Sequence, residues 1–395
     1  MSEQSTLRWR RPMVSRDRDE EHRAATPLEL FFDLCFVVAV SQAGGRLHHS
    51  LSEGHIGAAI TGYLMVFFAI WWAWMNFTWF ASAFDTDDAL YRLAVLVQIA
   101  GALIIAAGIG RAFDDNDFAV VTVGYVVMRI ALVGQWLRAA HEDPTVRACA
   151  RRYAIGVGSL QLLWVALLAR PDGARTVGFF VAVVSELTVP WWAERVGTTS
   201  WHPSHIVERY GLFTLIVLGE SVLAATTAIQ VALDSGTTFT DLAATAGGGL
   251  LTVFAMWWLY FAHPSDDVLD GARDGEGPPT VAFRWGYGHY VVFAAVGAVG
   301  AGLQVVIDAE VGATELTARA AAFAVAVPVA TYLLALLALP SHPRPQSLNV
   351  AFLAAAAAVV LAPLLPLPII VMGLAVSALV VVKTRATVDA VDVRA

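Results

Sequence analysis

Glu29 and Asp33 stand four residues apart at the start of the first apolar run, so on a helix both carboxylates project from one face, with Pro27 suited to the first turn. An acid at a helix N-terminus gains ~0.3 to 1 kcal/mol from the helix dipole, a role that covers Glu29 well and Asp33, deeper inside, less well. A second group, His202, His205 and Glu208, is spaced i, i+3 and i+6, which sets three donor side chains within an arc of about 120°. Imidazole and carboxylate suit zinc, iron or manganese. The spacing lacks a fourth ligand, so no cofactor is expected and a divalent metal is the minority reading; a proton relay or an ion-paired interfacial cluster is the leading one, with Glu208 and Arg209 as helix anchors in the plainest case.

Glu186, Glu220 and Arg129 fall near the centres of apolar runs. Charged side chains there cost ~2.5 to 3.5 kcal/mol on insertion scales and are usually paired or functional. A guanidinium cannot shed its proton, so Arg129 requires a carboxylate, with Glu220, Glu186 and Asp33 as candidates. The alternative is an ion pair that fixes helix register. Glu220 lies in the run Leu218 to Ser221, where Gly219 thins the helix and lets a neighbour or ligand approach. The pairs Trp71-Trp72 and Trp257-Trp258 either line a cavity or pack, the default for tryptophan in membranes.

The elements that carry these residues follow from composition. Of 395 residues, 57% are hydrophobic and 15% charged, and the mean hydropathy is +0.63; an ordinary soluble domain has roughly 25% charged residues. The apolar runs approach the ~20 residues that cross a bilayer. Twelve are expected, at about residues 27–47, 56–82, 89–112, 118–140, 152–169, 175–193, 204–232, 241–262, 283–307, 316–339, 348–364 and 367–383. Pro363, Pro366 and Pro368 make the last two either two short helices or one broken hairpin. The fold class is therefore an all-α polytopic membrane protein.

The chain also repeats itself. VFFAIWWAWMNF at 66–77 returns as TVFAMWWLYFAH at 252–263, the pairs Asp87-Asp88 and Asp266-Asp267 follow the two copies, and residues 29–42 align with 208–221, placing Glu29 over Glu208 and Ser41 over Glu220. Two parallel six-helix repeats are expected, at 26–195 and 200–385, between a basic cytoplasmic tail at 1–25 and a tail at 386–395. With the N-terminus inside, nineteen of the Arg and Lys residues lie on the cytoplasmic side and five, Arg46, Arg111, Arg170, Arg175 and Arg319, on the other, which sets both termini in the cytoplasm. Duplicated membrane proteins commonly hold their site where the halves meet near the midplane. Asp33, Glu208 and Glu220 are thus expected in one cavity between the first and seventh helices.

Much is excluded. The net charge of −8 sits largely in loops and offers no basic patch for nucleic acid. The residues before 26 have no apolar h-region, so they are no cleaved signal peptide. Cys35 and Cys149 cannot make a disulfide framework. The stretch 263–282, with Gly271, Gly275, Gly277, Pro278 and Pro279, is a flexible linker and not a domain. There is no nucleotide-binding loop, no matched pair of central histidines for haem, and the lone lysine, Lys383, stands at the end of the last span, so a retinal Schiff base has no partner.

TPLELFFDLCFVVAVSQ at 26–42, FDTDD at 84–88 and HPSHIVERYGLFTLIVLGES at 202–221 resemble the bacterial low-temperature-requirement A (LtrA) membrane protein family over residues 16 to about 290. Glu29, Phe31, Phe32 and Asp33 match the first family pattern, with Cys35 where valine is commoner; His205, Glu208, Arg209, Phe213, Leu218, Gly219 and Glu220 match the second. The resemblance implies a multi-pass inner-membrane protein and no settled activity. Three functions follow from the residues: a proton-linked carrier of a small solute with Glu220 as the titrating group, an intramembrane enzyme using acids or a metal on a lipid or isoprenoid-like substrate, or a membrane scaffold or stress sensor. The expected partners are the bilayer and the solute or lipid-like substrate, with a homo-oligomer left open.

Overall fold

In hydrocarbon a backbone must satisfy its own hydrogen bonds, which makes helix the conformation of long apolar runs. The computed structural model describes residues 9–17, 20, 24–84, 86–262, 266–273, 280–340 and 344–392, and among them there is helix and no strand. The helices are α1 (Pro27–Ser52), α2 (Ile56–Ala83), α3 (Ala89–Asp114), α4 (Ala119–Glu142), α5 (Arg147–Leu168), α6 (Asp172–Glu194), α7 (Pro203–Asp234), α8 (Phe239–Phe261), α9 (Asp266–Arg273), α10 (Thr280–Val311), α11 (Ala318–Ala338), α12 (Gln346–Leu361) and α13 (Pro368–Asp392). A helix stands at each of the twelve expected positions.

Eleven of these helices are long and apolar enough to cross a membrane. The exception to the expected twelve is α5, which opens on Arg147, Arg151 and Arg152 and carries Gln161 further in. The proline-rich end resolves into two helices: a 3-10 turn at Ala362–Leu364 separates α12 from α13, and Leu367 turns with φ of 52°. The expected linker after α8 contains the helix α9; residues 263–265 and 274–279, with Gly275, Gly277, Pro278 and Pro279, lie outside the described residues, as do the side chains of Asp266 and Asp267.

The chain packs as two compact units, Met1–Ala39 with Phe68–Arg209, and Val40–Phe67 with Tyr210–Ala395. The division falls inside α1, α2 and α7. In the first unit α3, α4, α5 and α6 each pack on the next, and in the second α10, α11, α12 and α13 do the same, with α13 also on α8. Lipid supplies little hydrophobic drive between helices, so close approach of small residues carries much of this packing. A Cβ on Gly101 would sit 2.7 Å from the Gly124 carbonyl, and one on Gly373 would sit 2.8 Å from that of Gly248.

Candidate functional site

In the first unit, α1 starts with a reciprocal cap. The Thr26 amide and hydroxyl donate to Glu29 Oε2 at 2.7 and 2.8 Å, while the Glu29 amide donates to the Thr26 hydroxyl at 3.3 Å. That cap aims the other Glu29 oxygen at α7, where Arg209 Nη1 and His205 Nε2 each stand 3.3 Å away. One turn on, Asp33 takes both prongs of the same guanidinium, from Arg209 Nε at 3.0 Å and Nη2 at 2.5 Å, and a third bond from Trp74 Nε1 at 2.7 Å. All four charged or titratable side chains are buried. Two carboxylates thus face one fixed cation, and a single proton, on Glu29 or on His205, makes the cluster neutral. Bidentate, charge-assisted bonds of this kind are among the strongest available to a side chain.

Arg129 finds its acid in Glu186, one of the three candidates, with Nη2 at 3.8 Å. Tyr125 fills the gap: Arg129 Nη2 donates to the Tyr125 hydroxyl at 2.6 Å, and that hydroxyl donates to Glu186 Oε1 at 3.0 Å. Trp72 and Trp164 complete the shell from 2.9 and 3.1 Å. The two tryptophan pairs therefore differ in their surroundings. Trp71 and Trp72 are fully buried and Trp72 serves a carboxylate, whereas Trp257 and Trp258 are 44% and 51% exposed.

In the same unit residues before α1 are tied down. The Arg11, Met13 and Ser15 amides donate to Asp88, Glu142 and Asp143 at 2.8, 2.6 and 2.8 Å, which docks residues 9–17 on the start of α3 and the end of α4. Asp88 also caps α3 through the Tyr91 amide and receives Arg138. Burial alone would raise Asp88, but the hydrogen bonds from Arg138, Tyr91 and Arg11 hold its carboxyl below the usual range. Asp143 behaves likewise: against burial, the Ser15 and Thr145 hydroxyls and amides bring it down to about 2. The remaining tail residues, 1–8, 18–19 and 21–23, lie outside the described ones.

The second unit holds a cavity of about 220 Å³. The later part of α1 contributes Ser41, Gly44 and Gly45, α7 contributes Glu220, Leu223 and Ala224 together with Thr227, and α10 contributes Gly297, Gly300 and Gln304. The sequence alignment that sets Ser41 over Glu220 also sets Gly44 over Leu223 and Gly45 over Ala224, and residues of both aligned segments line the cavity. Glu220 is half-buried and near the middle of α7. Among the described residues it makes no hydrogen bond or ion pair, and neither do the side chains of Ser41, Thr227 and Gln304. Other acids of this unit are engaged: Asp308 accepts from Ser52 at 2.9 Å and meets His48 at 2.6 Å, and Glu310 accepts from Thr245.

The expected convergence of Asp33, Glu208 and Glu220 is thus divided. Asp33 and Glu208 belong to the first unit, where Glu208 accepts the Ala25 amide at 3.0 Å, and the second-unit cavity is lined around Glu220 alone of the three. His202, His205 and Glu208 are not brought together as ligands. His202 Nε2 meets the Glu20 carbonyl at 2.8 Å and its Nδ1 the Ser204 hydroxyl at 2.9 Å, His205 faces Glu29, and no group of three metal-binding side chains occurs among the described residues. The indole and phenol donors Trp72, Trp74, Tyr125 and Trp164 escape sequence reasoning, since nothing in an isolated aromatic marks it as a partner for a carboxylate on another helix.

Comparison with known proteins agrees with this membrane architecture. An uncharacterized protein of Rhizobium meliloti (strain 1021) is 28% identical over 305 residues, covering 72% of this chain and 71% of that protein. Residues 24–384 match the family described as bacterial low temperature requirement A protein (LtrA), a span that takes in Glu29, Asp33, Arg129, Glu186, Arg209 and Glu220. With nearly its whole length matched, this chain belongs to the bacterial LtrA family of membrane proteins.

Proposed function

We propose that the chain is a proton-linked secondary carrier of a small solute in the bacterial inner membrane, with Glu220 as the group that takes up and releases the proton. One observation carries this reading: Glu220 is a mid-helix carboxylate that lines a cavity and has no hydrogen-bond or ion-pair partner among the described residues. An ionised acid at that depth is costly, and protonation or a bound solute relieves the cost. The site therefore changes charge as it loads and empties, which is the requirement for coupling. The acids of the first unit are poorly suited to that task, because Arg209, Trp74, Tyr125 and Trp164 occupy them.

In this reading the helices form two parallel six-helix repeats related by an axis along the membrane normal, with both termini cytoplasmic. Support comes from the matched order of neighbours, α3 to α6 in one unit and α10 to α13 in the other, and from the aligned positions of α1 and α7 that line the cavity. Rocking of one repeat against the other would expose the cavity to each side in turn. An intramembrane enzyme needs a positioned acid, base or metal, and the saturated carboxylates of the first unit offer less to that reading.

The test is proton flux in proteoliposomes carrying purified full-length protein, with elemental analysis of the same preparation. Solute-dependent flux that disappears in Glu220→Gln is expected. Flux equal to wild type in a folded Glu220→Gln protein would remove the carrier reading, and a stoichiometric tightly bound metal would favour the enzyme.

A further inference from the structure

We infer that the second-unit cavity binds a small organic ammonium cation and that this cation and a proton compete for Glu220, so that the exchange is an electroneutral antiport. The inference deepens the carrier reading and rests on it.

Size argues first. About 220 Å³ is roughly seven times the ~30 Å³ that a water molecule occupies in the liquid, too large for a bare metal ion and suited to a solute of several heavy atoms. Charge argues next. Glu220 is the single titratable group among the lining residues, and the other uncommitted polar groups there, the Ser41 and Thr227 hydroxyls and the Gln304 amide, are neutral. A lone carboxylate beside neutral donors and acceptors complements one positive charge carried by a polar body. A neighbouring recess that shares Ser41 and Gly45 carries Arg46 and His49, and His49 lies 3.3 Å from Glu53.

The glycines of the wall separate into two kinds. A Cβ on Gly300 would strike Ser221 Cα at 2.8 Å, and one on Gly297 the Tyr63 hydroxyl at 2.7 Å, so both are required by packing. Gly45 is not. A Cβ there meets nothing within 4 Å, and its backbone is helical, where glycine weakens the helix. What Gly45 preserves is open space along the cavity wall.

The exchange balances simply. In the proposed exchange a proton bound by Glu220 leaves to water as an ammonium enters and pairs with the carboxylate, so one positive charge replaces another. The cation cannot bind beside the proton without leaving an uncompensated charge in a low-dielectric site.

Choline is the probe, because its fixed charge prevents passage as a free base. Calorimetric titration of the full-length protein in detergent should show choline binding that weakens as the pH falls and releases one proton per choline bound. Glu220→Gln should weaken it about tenfold or more, as should Gly45→Leu, which fills open space and spares packing. Gly57→Leu, also without a neighbour within 4 Å but away from the cavity, should bind as wild type. Equal binding by wild type and folded Gly45→Leu would overturn the site. So would equal binding of the neutral analogue with a tert-butyl group in place of trimethylammonium, tighter binding of glycine betaine, or displacement of choline by equimolar sodium or potassium. Glu220-dependent proton flux without choline binding overturns this inference and leaves the carrier reading; Glu220-dependent choline binding without flux keeps the site and removes the carrier.

Discussion

The two units treat an acid within a long helix in opposite ways. In the first, Asp33 and Glu186 are each saturated, one by both prongs of Arg209 and the Trp74 indole, the other by Tyr125, Trp72, Trp164 and the nearby Arg129. In the second, Glu220 lines a cavity and makes no hydrogen bond or ion pair among the described residues. A carboxylate locked by a guanidinium and an indole has a fixed charge and a fixed position. One facing open volume retains both freedoms. The same residue type is thus bonded into the structure in one unit and lines open volume in the other, and only the neighbours distinguish the two.

The largest effect that bears on this contrast is expected from Arg209→Ala, which leaves Asp33 and Glu29 buried without their cation and should cost about 3–5 kcal/mol. The unfolding midpoint in detergent reports it, and a double variant with Asp33→Ala should be less damaging than the sum of the two single changes; a wild-type midpoint for Arg209→Ala would mean that the first unit is not locked at all. Trp164→Phe removes one donor to Glu186 while keeping an aromatic body, and about 1.5–3 kcal/mol is expected from the loss of a bond to a charged acceptor. Smaller still is the acid response of the docked tail. The Asp143 carboxyl is held at about 2, below its ordinary 3.8, so its stabilising bonds to Ser15 are intact above the ordinary value and are lost as the pH falls through about 2. Limited proteolysis in residues 9–17 should accelerate only in that acid range, and Asp143→Asn should accelerate it at neutral pH. At the small end, Glu220→Gln should move the unfolding midpoint by no more than about 0.5 kcal/mol, since no bond is broken. A loss comparable to that of Arg209→Ala would dissolve the contrast.

Much of this was legible in the chain. Apolar runs near the spanning length mark every long helix, because hydrocarbon admits few other backbones. The need of Arg129 for a carboxylate narrowed its partner to three acids, and Glu186 is among them. Arg209 was harder to read. Beside Glu208 in sequence it suggests an interfacial anchor, yet it reaches Asp33 and Glu29 on another helix, a pairing between residues 176 apart that no local spacing encodes. The docking of residues 9–17 was hidden for the same reason, as backbone amides carry no sequence signature. For the tryptophan pairs packing was the default reading, and Trp71 and Trp72 are buried; that Trp72 donates to Glu186 while Trp257 and Trp258 stand exposed depends on surroundings that residue type does not encode.

The helix α5 has a consequence for biogenesis. It is 22 residues long, ~33 Å, yet its opening arginines leave it short of the hydropathy that sends a segment from the translocation channel into lipid unaided. Its polar groups have partners on the flanking helices: Tyr153 stacks on Trp136 of α4 at 4.2 Å, and Trp164 reaches Glu186 of α6. Glu186 of α6 lacks the Trp164 donor until both helices are in place. On its own α5 is therefore expected to insert poorly and α4 to α6 together to insert well, which glycosylation mapping of the two lengths of chain checks.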